Sequence, residues 1–124
     1  MPFDYIFDAD SQILTIIGTE PSSMDQRYEC IQRIMNDPIL NGRIHVLIDI
    51  SRITATPTPD NARSVVTLIQ LLIDKFMSRV AIMHNRVGHA TTTHLVALYA
   101  NRNQYSVRAF LDNTAARDWL LGAA

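Results

Sequence analysis

Apolar residues along this chain repeatedly change their spacing, from every second position to every third or fourth. That change of period restricts the fold more than any other feature. In "PFDYIFD", Phe3, Tyr5 and Phe7 alternate against polar neighbours; in "QILTIIG", Ile13, Thr15 and Ile17 recur at every second position, with the turn-forming "DADS" between the two segments. Together they predict an antiparallel hairpin. "EPSSMDQRYECIQRIMNDP" then places Met24, Tyr28, Ile31 and Met35 at helical spacing, with Ser22 or Ser23 to cap the start and Pro38 beyond the end.

"GRIHVLIDI" returns to the shorter period. Ile44, Val46, Ile48 and Ile50 share one face of the predicted strand, and His45, Leu47 and Asp49 share the other, so its faces are unequal. "PDNARSVVTLIQLLIDKFM" predicts a helix with Val65, Leu68, Ile69, Leu72 and Phe76 as its core stripe. Val66, Ile73 and Met77, with Leu71 nearby, form a second apolar stripe on another side. "RVAIM" is a short buried strand. "VGHATTTHLVALYANRN" is helical, with Val87, Thr91, Leu95, Leu98 and Tyr99 inward, and "YSVRAF" is the last strand. "DNTAARDWLLG" closes as a helix capped by Asp112 or Asn113, with Gly122 past its end.

The order β-β-α-β-α-β-α-β-α, with strands joined by right-handed crossovers, predicts an α/β fold: a mostly parallel five-stranded sheet whose first strand alone is antiparallel. With strands in simple spatial succession, the helices are expected on one face, and the uneven third strand agrees. The chain of 124 residues contains no repeat, low-complexity tract or long linker, so it is expected to form one domain over 1–124. That length can bury a core without a disulfide, metal or other cofactor.

Partners are restricted by charge. A net charge of −1 and the lack of a basic run argue against nucleic acid. "MPFDYIF" lacks the features of a secretory signal, and no apolar run nears the roughly 20 residues that span a bilayer. The single cysteine, Cys30, falls within a helical pattern, where a thiol acts as a small hydrophobe in a reducing compartment. A cytoplasmic protein with no membrane partner is expected.

The segments "VLIDISRIT", "RVAIM" and above all "VRAFLDNTAARDWLL" resemble the STAS domains, named for sulfate transporters and anti-sigma-factor antagonists, and more closely the stand-alone SpoIIAA-like proteins of bacteria. The last segment is similar to that family's ending: a strand reaching phenylalanine, a polar cap, and an alanine-rich helix finishing in Trp-Leu. The resemblance implies a SpoIIAA-like fold and a regulatory, protein-binding role. In the anti-sigma antagonists a serine in an Asp-Ser-Ser-Gly motif, at the start of the helix after the central strand, is phosphorylated by the partner kinase. This chain matches the strand, Asp49 and Ser51, but carries "TPTPDNARS" where that motif should stand. Thr56 or Thr58 would then be the phosphoacceptors, at the positive end of the second helix.

The stretch from Val46 to Pro59 therefore admits three readings: a phosphorylation switch, an anion-binding mouth or an ordinary turn. Asp49 lies at the carboxyl end of a central strand, where open α/β sheets gather ligands, and equally where an aspartate bonds the backbone of the next loop. Ser51, Thr54, Thr56 and Thr58 give that loop hydroxyls, and Pro57 and Pro59 stiffen it. "MHNRVGHATTTH" is the second loop on the same edge. Its Arg86, His89 and Thr91 to Thr93 would line one mouth with the threonines and offer donors to a small anion or carboxylate.

Neither metal binding nor catalysis has a motif. His89 and His94 are spaced by five, so they do not share a helix face, and His45 and His84 add no ligand spacing. Cys30 lacks an activating cation, and Ser51 lacks an orienting group and oxyanion hole that the sequence could place. The expected function is a non-catalytic binding module for a protein partner. A homodimer would use Val66, Ile73 and Met77. The alternatives are a sensor for an anion, carboxylate or lipid-like ligand at the strand C-terminal edge, and a phospho-regulated antagonist.

Overall fold

The computed structural model describes residues 3–19, 24–52, 59–76, 79–84 and 107–122. The element order is β1 (Phe3–Asp8), β2 (Ile13–Gly18), α1 (Met24–Met35), β3 (His45–Asp49), α2 (Pro59–Phe76), β4 (Val80–Met83), β5 (Val107–Phe110) and α3 (Asn113–Leu120). The expected helix within "VGHATTTHLVALYANRN" lies outside the described residues. The five strands form one sheet in the order β1-β2-β3-β4-β5, antiparallel between β1 and β2 and parallel thereafter.

The hairpin joins Asp8 to Ile13 through a turn in which Gln12 takes a left-handed φ of 58°. β2 is buried on both faces. Leu14 and Ile16 enter the larger core, whereas Ile13 enters a second one behind the sheet. An apolar run such as "ILTII" is what burial on two sides requires.

The larger core lies beneath α1 and α2 and gathers Leu14, Ile16, Val46, Val80, Ile82 and Val107 from the sheet. From α2, Leu68, Ile69, Leu72 and Phe76 face it as the spacing predicts. On α1 the buried stripe is Cys30, Ile31 and Ile34, with Met35 at its margin. Tyr28, expected inward, is exposed, because Cys30 and Ile34 complete a stripe with Ile31 that lies to one side of it.

The expectation that all helices share one face is corrected. α3 covers the opposite face, where Ala116 and Leu120 pack with Ile13, Leu47 and Ala81. Right-handedness binds only helices that connect two parallel strands. α3 follows β5 and joins no two parallel strands of this sheet, so that rule does not fix its side. Leu47, buried on the smaller face of β3, needed such a cover. Asp112 caps α3 through its Oδ2, which accepts from Ala115 N at 3.1 Å, and Gly122 ends it at φ 78°.

Candidate functional site

The parallel strands end along one edge, and their register fixes what stands there. Ile17, Asp49, Met83 and Phe110 are successive partners across β2, β3, β4 and β5. All four are half-buried and, by the alternation of β3, share the face that carries Leu47 and α3. Met83 and Phe110 pack at the margin of the α3 core, and the Phe110 and Trp119 ring centroids lie 5.6 Å apart. The ladder continues one residue past the strands: Ile50 N donates to Met83 O at 2.9 Å and His84 N to Phe110 O at 3.0 Å.

At this edge Asp49 Oδ1 accepts from Ser51 N at 2.9 Å and from Ser51 Oγ at 2.6 Å. The carboxylate turns the chain out of β3 by bonding the backbone two residues on, as aspartate does at turns. The sequence-predicted pair is thus brought together, in the role of a turn. Thr54, Thr56 and Thr58 lie outside the described residues, as do Arg86, His89 and Thr91 to Thr93. His84 is buried behind the edge.

One edge residue escaped the sequence reading. Leu111 follows Phe110 directly and is 71% exposed. Its signal was a large aliphatic residue between the end of an apolar strand and the cap Asp112, where a connection is ordinarily polar. An isolated exposed leucine is ordinary; one at a strand C-terminal edge adjoins the ground where open α/β sheets bind.

Two residues of the second apolar stripe of α2 pack within the chain. Val66 is buried in the larger core, and Ile73 packs against that core while half-buried. Met77 lies outside the described residues, and Leu71 is exposed. Cys30 is fully covered, and burial pushes its thiol up from its ordinary pKa, with Arg33 opposing more weakly. It is therefore a packing group with little thiolate at neutral pH. Among the described residues no three His, Cys, Asp or Glu gather as a metal site.

His45 lies at the other end of β3. Its Nδ1 is buried with no hydrogen-bond partner among the described residues, and its pKa is lowered by desolvation first and then by Arg43 and Arg79.

No family model and no curated protein matches the chain. Among solved structures it is similar to an uncharacterized protein of the DUF3478 family with a SpoIIAA-like fold from Shewanella loihica PV-4. The two are 19% identical with a TM-score of 0.59, over 95% of this chain and 91% of that one. The chain has a SpoIIAA-like α/β fold, as its terminal strand and helix implied. No helix among the described residues is long and apolar enough to cross a membrane.

Proposed function

We propose that this chain is a non-catalytic, STAS-like interaction module that binds a protein partner at the C-terminal edge of its parallel strands. The observation that carries the reading is Leu111, 71% exposed and seated immediately past β5, on the edge where β3 ends in the Asp49–Ser51 turn. An exposed aliphatic side chain past β5, on the same edge as the carboxylate and hydroxyl that end β3 two strands away, supplies both the apolar and the polar groups of which protein interfaces are made. The turn geometry adds rigidity, since the Asp49 carboxylate is held by two short bonds from Ser51.

The test is recovery of a stoichiometric complex from the cells that encode the chain, using tagged wild type beside Leu111→Asp and Ile39→Asp. Ile39 is equally exposed but lies between α1 and β3. Loss of the complex with Leu111→Asp and its retention with Ile39→Asp supports the edge. Equal retention by both variants overturns it.

A further inference from the structure

At the end of the sheet opposite Leu111, three basic groups converge. Arg43 and His45 flank the buried Ile44 as the chain enters β3, and Arg43 is close enough to act electrostatically on the His45 ring. Arg79 stands at the start of β4, in the position that the β3–β4 register sets beside His45, and its carbonyl accepts from Val46 N at 3.2 Å. The Arg79 side chain is held in place. Its Nη1 donates to Trp119 O at 2.9 Å, and its guanidinium lies over the Trp119 ring. Gly42, with φ 77°, turns the chain into Arg43, which is exposed and bonds no other side chain among the described residues.

What faces His45 is one-sided. The charged groups acting on it are Arg43 from its own segment and Arg79 from β4, both positive. β2 contributes the apolar Ile13 at the paired position. On α3 the charges are Arg117, turned to Asp8 and Ser11, and the exposed Asp118. Two guanidinium groups beside a half-buried imidazole oppose its protonation. A bound anion turns that repulsion into attraction.

We propose that Arg43, His45 and Arg79 form a binding site for a small, doubly charged oxyanion of the sulfate or phosphate type, at the N-terminal edge of the sheet. Arginine forks match the oxygens of such an ion, and the pre-set Arg79 lowers the ordering cost of binding. Binding draws a proton onto His45, so the two equilibria are linked: the anion raises the His45 pKa, and affinity rises as the pH falls. The site is separate from the Leu111 edge and stands or falls independently of it.

Sulfate is the probe, because it stays dianionic wherever histidine titrates. The measurement is NMR of the His45 ring against pH and sulfate, with chloride at matched ionic strength as control. The expected result is saturable binding, an upward move of the His45 titration that chloride does not produce, and affinity about tenfold weaker in Arg43→Gln. Arg43 is exposed, so that variant keeps its fold. Displacement of sulfate by inorganic phosphate points to a free ion, and stronger displacement by a phosphoserine peptide points to a phosphoryl group on a protein; both support the site. A response no different from chloride, or unchanged in Arg43→Gln, means an adventitious ion only and overturns the proposal.

Discussion

Arg79 lies across the ring of Trp119, its guanidinium carbon 5.4 Å from the ring centroid, while its Nη1 donates to the Trp119 carbonyl oxygen at 2.9 Å. That carbonyl belongs to the last turn of α3 and also accepts from Gly122 N at 3.2 Å, so Arg79 adds a second bond at the end of the helix. One side chain therefore ties the start of β4 to the end of α3. Arg79→Ala is expected to cost about 1–2 kcal/mol, the combined worth of an exposed cation–π contact and a charge-assisted hydrogen bond. Trp119 is the only tryptophan in the chain, so its fluorescence reports on α3 directly. Urea denaturation followed by that signal should show a lower midpoint for Arg79→Ala, with Arg79→Lys between it and wild type. Identical midpoints would show that the stacked arginine contributes nothing to docking the helix.

Tyr5 connects β1 to the turn after α1, its hydroxyl donating to Asp37 Oδ2 at 2.8 Å. Arg33 lies over the same ring. Tyr5→Phe removes the donor and is expected to destabilise by about 1 kcal/mol at neutral pH. The phenol pKa is raised by burial first and then by the hydrogen bond and charge of Asp37. In the unfolded chain the phenol loses its proton near pH 10, whereas in the folded chain it keeps it to higher pH. Folded molecules therefore hold more protons in that interval, and stability falls as pH rises through it. Thermal denaturation at pH 7 and above pH 10 should show the gap between wild type and Tyr5→Phe narrowing at the higher pH. A gap that stays constant would mean that the Tyr5 proton is not linked to folding.

The two sides of α2 are expected to respond unequally to truncation. Ile69 is wholly buried, and Ile69→Ala should cost about 2–5 kcal/mol through lost burial and the cavity left behind. Val66, buried in the same core, should also register a clear loss as Val66→Ala. Leu71 is exposed, and Leu71→Ala should stay within about 0.5 kcal/mol. If dilution of wild type leaves the Val66→Ala penalty unchanged, Val66 acts inside one protomer; a penalty that grows with concentration would place it at a contact between copies.

Element type and most of the core were legible from period, and pairing sense from the alternation of strands and helices, whereas the spatial order of the strands entered only as a condition that the sheet meets. The stripe Leu68, Ile69, Leu72 and Phe76 is readable at helical spacing, and the register of the hairpin follows from its short turn. The side of the sheet that α3 takes was not legible, since period says that a helix has an apolar face and not which surface it meets. Leu47 held the clue, as a leucine on the face of β3 that otherwise carries His45 and Asp49. At the edge, Asp49 was readable as a turn former, and its bonds to Ser51 agree. Leu111 and the Arg43–His45–Arg79 cluster were not, because each depends on where strand ends meet in space. Residues such as Arg43 and Arg79, 36 positions apart, acquire a relation only through the β3–β4 register.

Gln12 supplies the sharpest test of local backbone chemistry. It holds a left-handed φ of 58° at the end of the hairpin turn, its backbone carbonyl accepts from His45 N at 2.9 Å, and its side-chain Nε2 donates to Ala9 O at 2.8 Å. An L-residue in that region pays about 1–2 kcal/mol in contacts between its Cβ and the following carbonyl. Glycine avoids that contact but loses the bond to Ala9 and gains freedom in the unfolded chain, each worth about 0.5–1.5 kcal/mol. The opposing terms nearly cancel, so Gln12→Gly is expected within about 1 kcal/mol of wild type. A β-branched residue has no such compensation, and Gln12→Val should lose about 2 kcal/mol, in the range found for strained backbone positions. Equilibrium unfolding in urea separates the two, and the order wild type and glycine together, valine below, is the result that assigns the cost to backbone conformation. Valine level with wild type would show that the turn relaxes out of the left-handed region, and with it the carbonyl that receives His45.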